Sequence, residues 1–321
     1  MKHVFIFDPK AFREQQWRMD GLLDNIGQFF RTQDRPNFST LFSHYPRDAI
    51  KLVQKQVDEA IEDEADAFDT VRVYAIGGDD ILFDCINGVE GLPRIELAIV
   101  PYGAVNSFIR AFGEKKADLF MDIPSLIATV DTISTDLIRV GNNCAINGCA
   151  VGRTPTTAMK MKELKEKLGN GLGRFAVGVL FILYRITSLF NKEVVARHYD
   201  VTIDGDDYSG SYSLINIINA PYFNRNKTAL AGAVPDDGLL DVLLFKSAGP
   251  LATSFSHKRS LRGRMPSNCI RLQAKKIELK SDKPMWIQTD SEYLLDTSIT
   301  FEIVPGAVQI VAVNNLVYQG F

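Results

Sequence analysis

The sequence has few residues of the kinds that build disulfide frameworks or metal centres. Its 321 residues include only four cysteines and four histidines. The cysteines form no CxxC pair, and the histidines show no metal-ligand or catalytic-triad spacing. So few cysteines in a chain of this length argue against a disulfide-stapled secreted domain and fit a reducing cytoplasm.

Long hydrophobic runs are also missing. The longest, Phe175–Tyr184, ends at Arg185 and falls well short of the roughly 20 residues that a membrane-spanning helix needs. It predicts a buried or interfacial helix, and we expect no transmembrane segment. The first apolar run, Val4–Phe7, is shorter than a signal-peptide core, so we interpret it as a buried strand.

No charge of one sign dominates the chain, whose formal net charge is −3. Nucleic-acid binding depends on clustered basic residues, so we expect no nucleic-acid partner. The densest basic cluster is His257-Lys258-Arg259 with Arg262 and Arg264. It has two interpretations, a surface for anionic lipid headgroups or an ordinary solvated surface.

The pattern of apolar residues changes along the chain. The first third alternates short apolar runs with helical periodicity, which predicts parallel buried strands at Val71–Ile76 and Ile95–Val100. After about residue 130, short strand candidates follow one another, interrupted by a helical segment at Thr157–Leu189. This length and pattern predict two domains.

We predict an α/β nucleotide-binding domain over residues 1–130, Rossmann-like, with helices on both faces of a parallel sheet. Residues 131–321 are expected to form a β-rich, sandwich or barrel-like lipid or lid domain. The extreme C-terminus of this second domain is a candidate for packing against the first domain.

Two glycines stand where a predicted strand meets a predicted helix, in Gly77-Gly78-Asp79-Asp80. Glycine lets the backbone approach a ligand closely, and the N–H groups of a helix N-terminus bind phosphate. An ordinary connection between a strand and a helix uses the same residues, so this turn supports a phosphate site only weakly by itself.

This turn resembles the first motif of the diacylglycerol kinase catalytic family, which includes bacterial lipid kinases and sphingosine and ceramide kinases and is related to the NAD kinase fold. The family reads Gly-Gly-Asp-Gly-Thr and continues to Asn-Glu-Val-Val-Asn-Gly-Leu. The chain keeps Gly77-Gly78-Asp79, an acidic residue at Asp84 and an Asn87-Gly88 turn, in register. A second family motif, Pro-x-Gly-Thr-x-Asn-Asp-Phe-Ala-Arg, is similar to the segment from Pro101 to Arg110.

Two later segments resemble the family as well. Asp237-Gly238-Leu239-Leu240-Asp241 is similar to its Asp-Gly-Leu-Leu-Asp, and Asp290-Ser291-Glu292 is similar to its Asp-Gly-Glu. The four segments follow the family's order and cover most of the chain. The Asp237 segment favours the lipid branch over the NAD kinases.

The resemblance implies transfer of a phosphoryl group from ATP to a lipid hydroxyl, with Mg²⁺ neutralising charge. On that basis Asp79 would organise Mg²⁺ or the nucleophile, and Asp290 would act as general base with Glu292 beside it. Asp237 would hold a second Mg²⁺, unless Asp237-Gly238 is merely a turn before a strand. The residues implied to contact the nucleotide are Gly77, Gly78, Asp80, Gly103, Ala104 and Asn106.

Several positions depart from the family pattern, four of them in the first two motifs. Asp80 replaces a glycine, Ile81 and Ala104 each replace a threonine, and Ser107 replaces an aspartate. A carboxylate about 4 Å from a phosphate is unfavourable by about 1 to 4 kcal/mol unless a cation lies between them. The departures therefore bear on catalysis more than on the fold.

Three functions stay open. The first, which we favour, is an ATP-dependent lipid kinase in the cytoplasm that meets its lipid substrate, such as diacylglycerol, at the inner membrane face. The second is a non-catalytic or altered-specificity relative that binds nucleotide or lipid. The third is a soluble-substrate kinase of the NAD kinase type. Exposed sheet edges would be compatible with a homodimer.

Overall fold

The computed structural model describes most of the chain, namely residues 1–31, 37–62, 70–92, 94–113, 116–168, 174–188, 190–223, 227–230, 232–260, 262, 264–314 and 316–319. The predicted helical segment at Thr157–Leu189 crosses residues 169–173 and 189, which lie outside the described residues.

The N-terminal part contains four parallel strands in the order β2-β1-β3-β4. These strands are β1 (Lys2–Phe7), β2 (Phe38–Phe42), β3 (Val71–Gly77) and β4 (Ile95–Pro101). The α-helices are α1 (Gln16–Arg31), α2 (Asp48–Glu62), α3 (Asp79–Val89) and α4 (Ile123–Ala128). Short 3-10 helices cover Pro9–Phe12, Phe108–Phe112 and Ala117–Met121. The apolar residues of β3 are buried without interruption, as expected of an interior parallel strand.

The C-terminal part is rich in β-structure. Its strands are β5 (Thr132–Val140), β6 (Asn143–Ala145), β7 (Gly148–Gly152), β8 (Arg197–Ile203), β9 (Asp206–Asp207), β10 (Gly210–Ile218), β11 (Tyr222–Phe223), β12 (Lys227–Thr228), β13 (Leu240–Lys246), β14 (Cys269–Ala274), β15 (Lys276–Gln288) and β16 (Tyr293–Val311). Its helices are α5 (Arg153–Leu168), α6 (Arg174–Thr187), α7 (Lys192–Val195) and α8 (Pro250–Ser260). The strands β14-β13-β10-β7-β15-β16 pair antiparallel. The predicted two-domain fold, α/β followed by β-rich, is confirmed.

Strand β16 connects the two parts of the sheet. Its first half pairs antiparallel with β15, and Gln309 and Ile310 near its end pair parallel with β4. The residues that follow, Val313 and Leu316, belong to the apolar core of the N-terminal part. The last described segment of the chain therefore packs against the first domain.

The Asn87-Gly88 pair does not form the turn that its residues suggest, because it lies inside α3. A Cβ on Gly88 would lie 3.0 Å from the Cβ of Val53, so glycine lets α2 and α3 pack closely. The Asn87 side chain accepts a hydrogen bond from the Cys144 N–H at 2.7 Å and donates one to the Cys144 carbonyl at 2.9 Å. The pair thus serves helix packing and fastens α3 to β6.

The loops after β3 and β4 lie backbone to backbone. The Gly103 N–H donates to the Gly77 carbonyl at 2.9 Å, and the Asp79 N–H donates to the Val105 carbonyl at 2.9 Å. A Cβ on Gly103 would lie only 2.3 Å from the Gly78 Cα. The close pairing of residues 77–80 with residues 103–106, which we call the double loop, therefore requires glycine at position 103.

Replacing Gly103 with alanine is expected to separate the double loop, since the added Cβ has no room. Overpacking of this kind costs about 1 to 3 kcal/mol of folding free energy, which urea unfolding followed by circular dichroism would measure. Gly21→Ala is the matched control, because a Cβ at this position in α1 meets no atom within 4 Å. The control should be neutral or stabilising by up to about 1 kcal/mol. Equal stability of the two variants would contradict the packing.

Candidate active site

Acidic side chains from both domains meet at the carboxyl ends of the parallel strands. Asp79, Asp80 and Asp84 lie on α3, which begins directly after β3. Asp290 and Glu292 lie in the turn between β15 and β16, where the Thr289 N–H donates to the Glu292 carbonyl at 2.9 Å. Ligands of open α/β sheets usually bind at this edge.

The Asp79 side chain stabilises the backbone of the second motif, the segment from Pro101 to Arg110. Its Oδ1 accepts a hydrogen bond from the Ser107 N–H at 2.7 Å, which fixes the start of the 3-10 helix Phe108–Phe112. Burial raises the pKa of Asp79, and the nearby Asp80 acts in the same direction, while Ser107 and the Arg110 guanidinium oppose the shift. The backbone of Ser107 thus makes a contact that does not depend on which side chain stands there.

Asp290 is held by three consecutive backbone N–H groups. Ile146 donates to Oδ2 at 2.6 Å, Gly148 donates to Oδ1 at 3.0 Å, and the Asn147 N–H is shared between the two oxygens at 3.1 and 3.2 Å. Burial raises the pKa of Asp290 to about 7, with the negative charge of Asp79 adding to the shift and the three N–H groups opposing it. A carboxyl group that titrates near neutral pH is suited to act as a general base.

Glu292 is engaged by Arg47, a residue that sequence reasoning missed. The Arg47 Nη1 donates to Glu292 Oε2 at 2.6 Å, and its Nη2 donates to Asn143 Oδ1 at 2.8 Å. The Arg47 N–H donates to Asp84 Oδ2 at 2.9 Å, and burial raises the pKa of Asp84 to about 6. Arg47 therefore bridges the two domains.

A signal for Arg47 was present in the sequence. The residue follows β2, so it reaches the same sheet edge as the turn at Gly77. The structure adds a second sign, because the Arg47 backbone φ of 66° is in the left-handed region, an uncommon conformation for arginine. Such conformations cluster at functional sites.

Arg110 is a second cation that received no role from sequence. Its guanidinium lies 5.6 Å from the ring centroid of Tyr222 in the C-terminal part, and its charge opposes the rise in the Asp79 pKa. Arg110 ends the second motif, which was the available signal. The acidic site is thus flanked by two arginines that each contact both domains.

The residues predicted to contact nucleotide lie on the double loop. Asp80 and Ala104 are exposed there. The Asn106 side chain donates to the Gly103 carbonyl at 2.5 Å and so supports the loop itself. A Cβ on Gly77 would lie 2.8 Å from the Ile81 Cγ2. Packing within the protein alone therefore accounts for the glycines, and the exposed outer edge of the double loop is the part available to a ligand.

Mg²⁺ fits this site only if the protein and a nucleotide bind the ion together. Among the described residues no group of three His, Cys, Asp or Glu side chains could hold a metal ion. Mg²⁺ is commonly bound by one or two carboxylates together with waters and substrate phosphates. Burial raises the pKa values of Asp79 and Asp290, and the charge of Asp80 adds to the first rise and that of Asp79 to the second. Such a donor set suits a cation that arrives with a nucleotide.

Asp237 lies in a different setting, beside Asp136 of β5. Its Oδ1 accepts the Leu239 N–H at 2.9 Å, which is the local turn that the alternative interpretation expects. Asp136 accepts N–H groups from Gly238 at 2.7 Å and Gly306 at 2.8 Å. Burial raises the pKa of Asp237, and the charge of Asp136 adds to the shift. The second-metal prediction for Asp237 stays a prediction.

Two models of known protein domains match the chain. Residues 2–140 match the diacylglycerol kinase catalytic domain. Residues 181–312 match the YegS C-terminal NAD kinase beta sandwich-like domain.

Several curated relatives come from Staphylococcus aureus. A protein of strain JH9 named "putative lipid kinase" is 25% identical over 284 residues, which cover 87% of this chain and 88% of that protein. Its counterpart in the bovine strain RF122 is 26% identical over the same shares.

Solved structures show the same fold. A crystal structure titled as a "putative diacylglycerol kinase" from Bacillus anthracis str. Sterne superposes with a TM-score of 0.69 over 98% of both chains, at 23% identity. A second structure of a "putative diacylglycerol kinase" from that organism gives 0.68 at 22% identity. The chain therefore carries a diacylglycerol kinase catalytic domain followed by a YegS-type C-terminal domain.

Proposed function

We propose that this protein is an ATP-dependent lipid kinase that phosphorylates a hydroxyl group such as that of diacylglycerol. The observation that carries the proposal is the placement of Asp290. It is held by three N–H groups with a pKa raised to about 7 and lies near enough to Asp79 to feel its charge. The names of the relatives support the lipid as acceptor.

The double loop would bind the ATP phosphates. Its exposed edge carries the first turn of α3, and helix N-termini favour anions. Asp79 and Asp80 would hold Mg²⁺ together with phosphate oxygens, which removes the repulsion between the Asp80 carboxylate and the polyphosphate. Mg²⁺ would supply charge neutralisation of the transferring phosphoryl group. Arg47 and Arg110 would add positive charge from the two sides.

Asp290 would take the proton of the lipid hydroxyl. The hydroxyl oxygen forms a bond to the γ-phosphorus, the bond from that phosphorus to the bridging oxygen breaks, and ADP leaves with the bond's electron pair. The Asn147 N–H is shared between both Asp290 oxygens at 3.1 and 3.2 Å, so it is the longest of the three anchors. The other two N–H groups keep the carboxyl group in place.

One observation favours a relative with altered specificity instead. Asp80 is exposed at the double loop, where the family has glycine, and no hydroxyl stands at Ile81 or Ala104. A panel of acceptors decides between the alternatives. Radiolabelled ATP is offered with diacylglycerol, other lipids bearing one free hydroxyl, and NAD, and transfer to NAD alone would favour the soluble-substrate kinase.

We further propose that the protein works in the cytoplasm, at the inner membrane face. The described helices include none long and apolar enough to cross a membrane. Strands β2 and β14 lie at the two ends of the strand order. The predicted homodimer would form through one of these two edge strands.

Asp290→Asn is expected to lower the rate of phosphoryl transfer by about 10²- to 10⁴-fold, the usual contribution of a positioned base. The amide retains the shape of the side chain but takes up no proton near neutral pH. Transfer of ³²P from ATP to the best acceptor of the panel measures the rate, and a fluorescent ATP analogue measures nucleotide binding, which should persist. A variant that keeps the wild-type rate would exclude Asp290 as the base.

The pH dependence of kcat follows from the same carboxyl group. Because a general base acts when deprotonated, kcat should rise about tenfold per pH unit below the pKa of about 7 and level off above it. Rates measured at saturating ATP and lipid between about pH 5.5 and 8.5 would show this limb. A flat profile across that range would contradict the assignment.

Arg47→Met removes the cationic bridge to Glu292 and Asn143 while keeping the length of the side chain. We expect transfer to fall by about tenfold or more, since misplacement of groups at a site is costly. Arg139→Met is the matched control, because Arg139 also pairs with a carboxylate, Glu90, and is similarly exposed, at 48% against 42% for Arg47. Equal effects of the two substitutions would show that Arg47 only contributes a surface ion pair.

A further inference from the structure

Helix α6 presents apolar side chains to the solvent. Val179, Ile182, Leu183 and Ile186 are 41%, 59%, 52% and 51% exposed, and Phe190 just after the helix is 70% exposed. Their spacing of three, four and seven residues places them on one side of the helix. We call these five residues the apolar stripe. A stripe of this kind on the outside of a protein marks an interaction surface.

The opposite side of α6 faces the protein. Tyr184 is half-buried, burial raises its pKa, and it lies within electrostatic range of Glu163 and Arg153 on α5. The Tyr184 side of α6 therefore faces α5. Helix α5 in turn packs on β7, β10 and β15. The apolar stripe therefore lies on the exposed side of α6, away from α5.

Basic side chains lie beside the stripe. Helix α5 exposes Lys160, Lys162, Lys165 and Lys167, against two exposed glutamates, Glu163 and Glu166. A helix pair that combines exposed apolar residues with an excess of lysine matches the composition of helices that lie in the plane of a membrane surface.

We propose that α6 docks this protein on an anionic lipid bilayer, with the apolar stripe inserted at the headgroup level and the α5 lysines on the headgroups. The proposal rests on the proposed lipid kinase function, which requires access to a lipid held in a membrane. The helical part of the stripe runs for about 10 Å, at 1.5 Å per residue from 179 to 186, which suits an in-plane helix and not a spanning one. Juxtamembrane lysines contribute about 1 kcal/mol each on anionic membranes.

Helix α8 extends the same surface chemistry. It exposes Leu251 by 85% and Phe255 by 62%, and the Arg259 guanidinium lies 5.9 Å from the Phe255 ring centroid. It lies next to α5, because Arg153 Nη1 is 3.5 Å from the Nδ1 of His257. Lys258, Arg259, Arg262 and Arg264 are exposed as well. The basic cluster noted in the sequence thus belongs to the same helical layer.

Charge decides between a bilayer and a second copy of the chain as the occupant. Two stripes packed face to face would bring the α5 lysines of both copies together, and like charges at close range are unfavourable. The active-site edge carries the carboxylates Asp79, Asp80, Asp84 and Asp290. The exposed lysines of α5 give the α5–α6 pair the positive charge that an anionic membrane attracts.

The test is sedimentation of the 321-residue chain with sucrose-loaded vesicles of phosphatidylcholine and phosphatidylglycerol, without ATP. The double variant Ile182→Glu/Ile186→Glu should lose at least about tenfold in partitioning, since two buried isoleucines contribute well over 1.4 kcal/mol. Lys160→Glu/Lys162→Glu should weaken binding to the anionic vesicles, and pure phosphatidylcholine should bind less of the wild type.

Val179→Glu and Val130→Glu form a matched pair. Both replace an exposed valine by the same charge, but Val130, 83% exposed, lies before β5 in the first domain. Only the first should reduce vesicle binding, and circular dichroism should show both to be folded. Equal vesicle binding by the wild type, the α6 variants and Val130→Glu would overturn the proposal.

Light scattering without vesicles addresses the other occupant. A wild-type dimer that Ile182→Glu/Ile186→Glu converts to a monomer would assign the stripe to a second copy and overturn the membrane proposal. Because vesicle binding is measured without ATP, a chain that transfers no phosphate but binds anionic vesicles through α6 would sink the kinase and leave the docking surface standing.

Discussion

The anchoring of Asp290 by three backbone N–H groups is the interaction on which the site depends. It ties the turn between β15 and β16 to the segment between β6 and β7, and so fixes where a carboxyl group of the second domain meets α3 of the first. Hydrogen bonds to a charged acceptor are stronger than neutral ones. The energy of anchoring offsets part of the cost of burying this carboxyl group beside Asp79.

The rest of the site follows from that placement. Burial raises the pKa values of Asp79, Asp84 and Asp290, and the charges of neighbouring carboxylates add to each rise. Arg47 and Arg110 compensate only in part, and each reaches across to the second domain. Such an arrangement would attract a divalent cation carried by a polyphosphate and would repel an anion that arrives alone. This is why ATP with Mg²⁺ is the ligand that we propose.

Sequence predicted the architecture well, because buried parallel strands and turn residues leave local signals. The strands β3 and β4 were predicted to within one residue from their apolar runs alone. The Asn87-Gly88 pair was misread as a turn because its role depends on contacts with Val53 and Cys144, which are distant in sequence. For the same reason Arg47 was overlooked, since its partners Asn143 and Glu292 become its neighbours only when the domains pack. Resemblance placed Asp79 and Asp290 as site residues, while their hydrogen bonds could be found only in three dimensions.

The most direct test of the account is a crystal structure with a non-hydrolysable ATP analogue and Mg²⁺. We predict that the phosphates lie along the double loop, with the Mg²⁺ between the Asp79 or Asp80 carboxylate and the phosphate oxygens, and with the γ-phosphate on the Asp290 side. A nucleotide bound away from the double loop, or an Asp80 carboxylate that turns from the phosphates with no metal between, would contradict it.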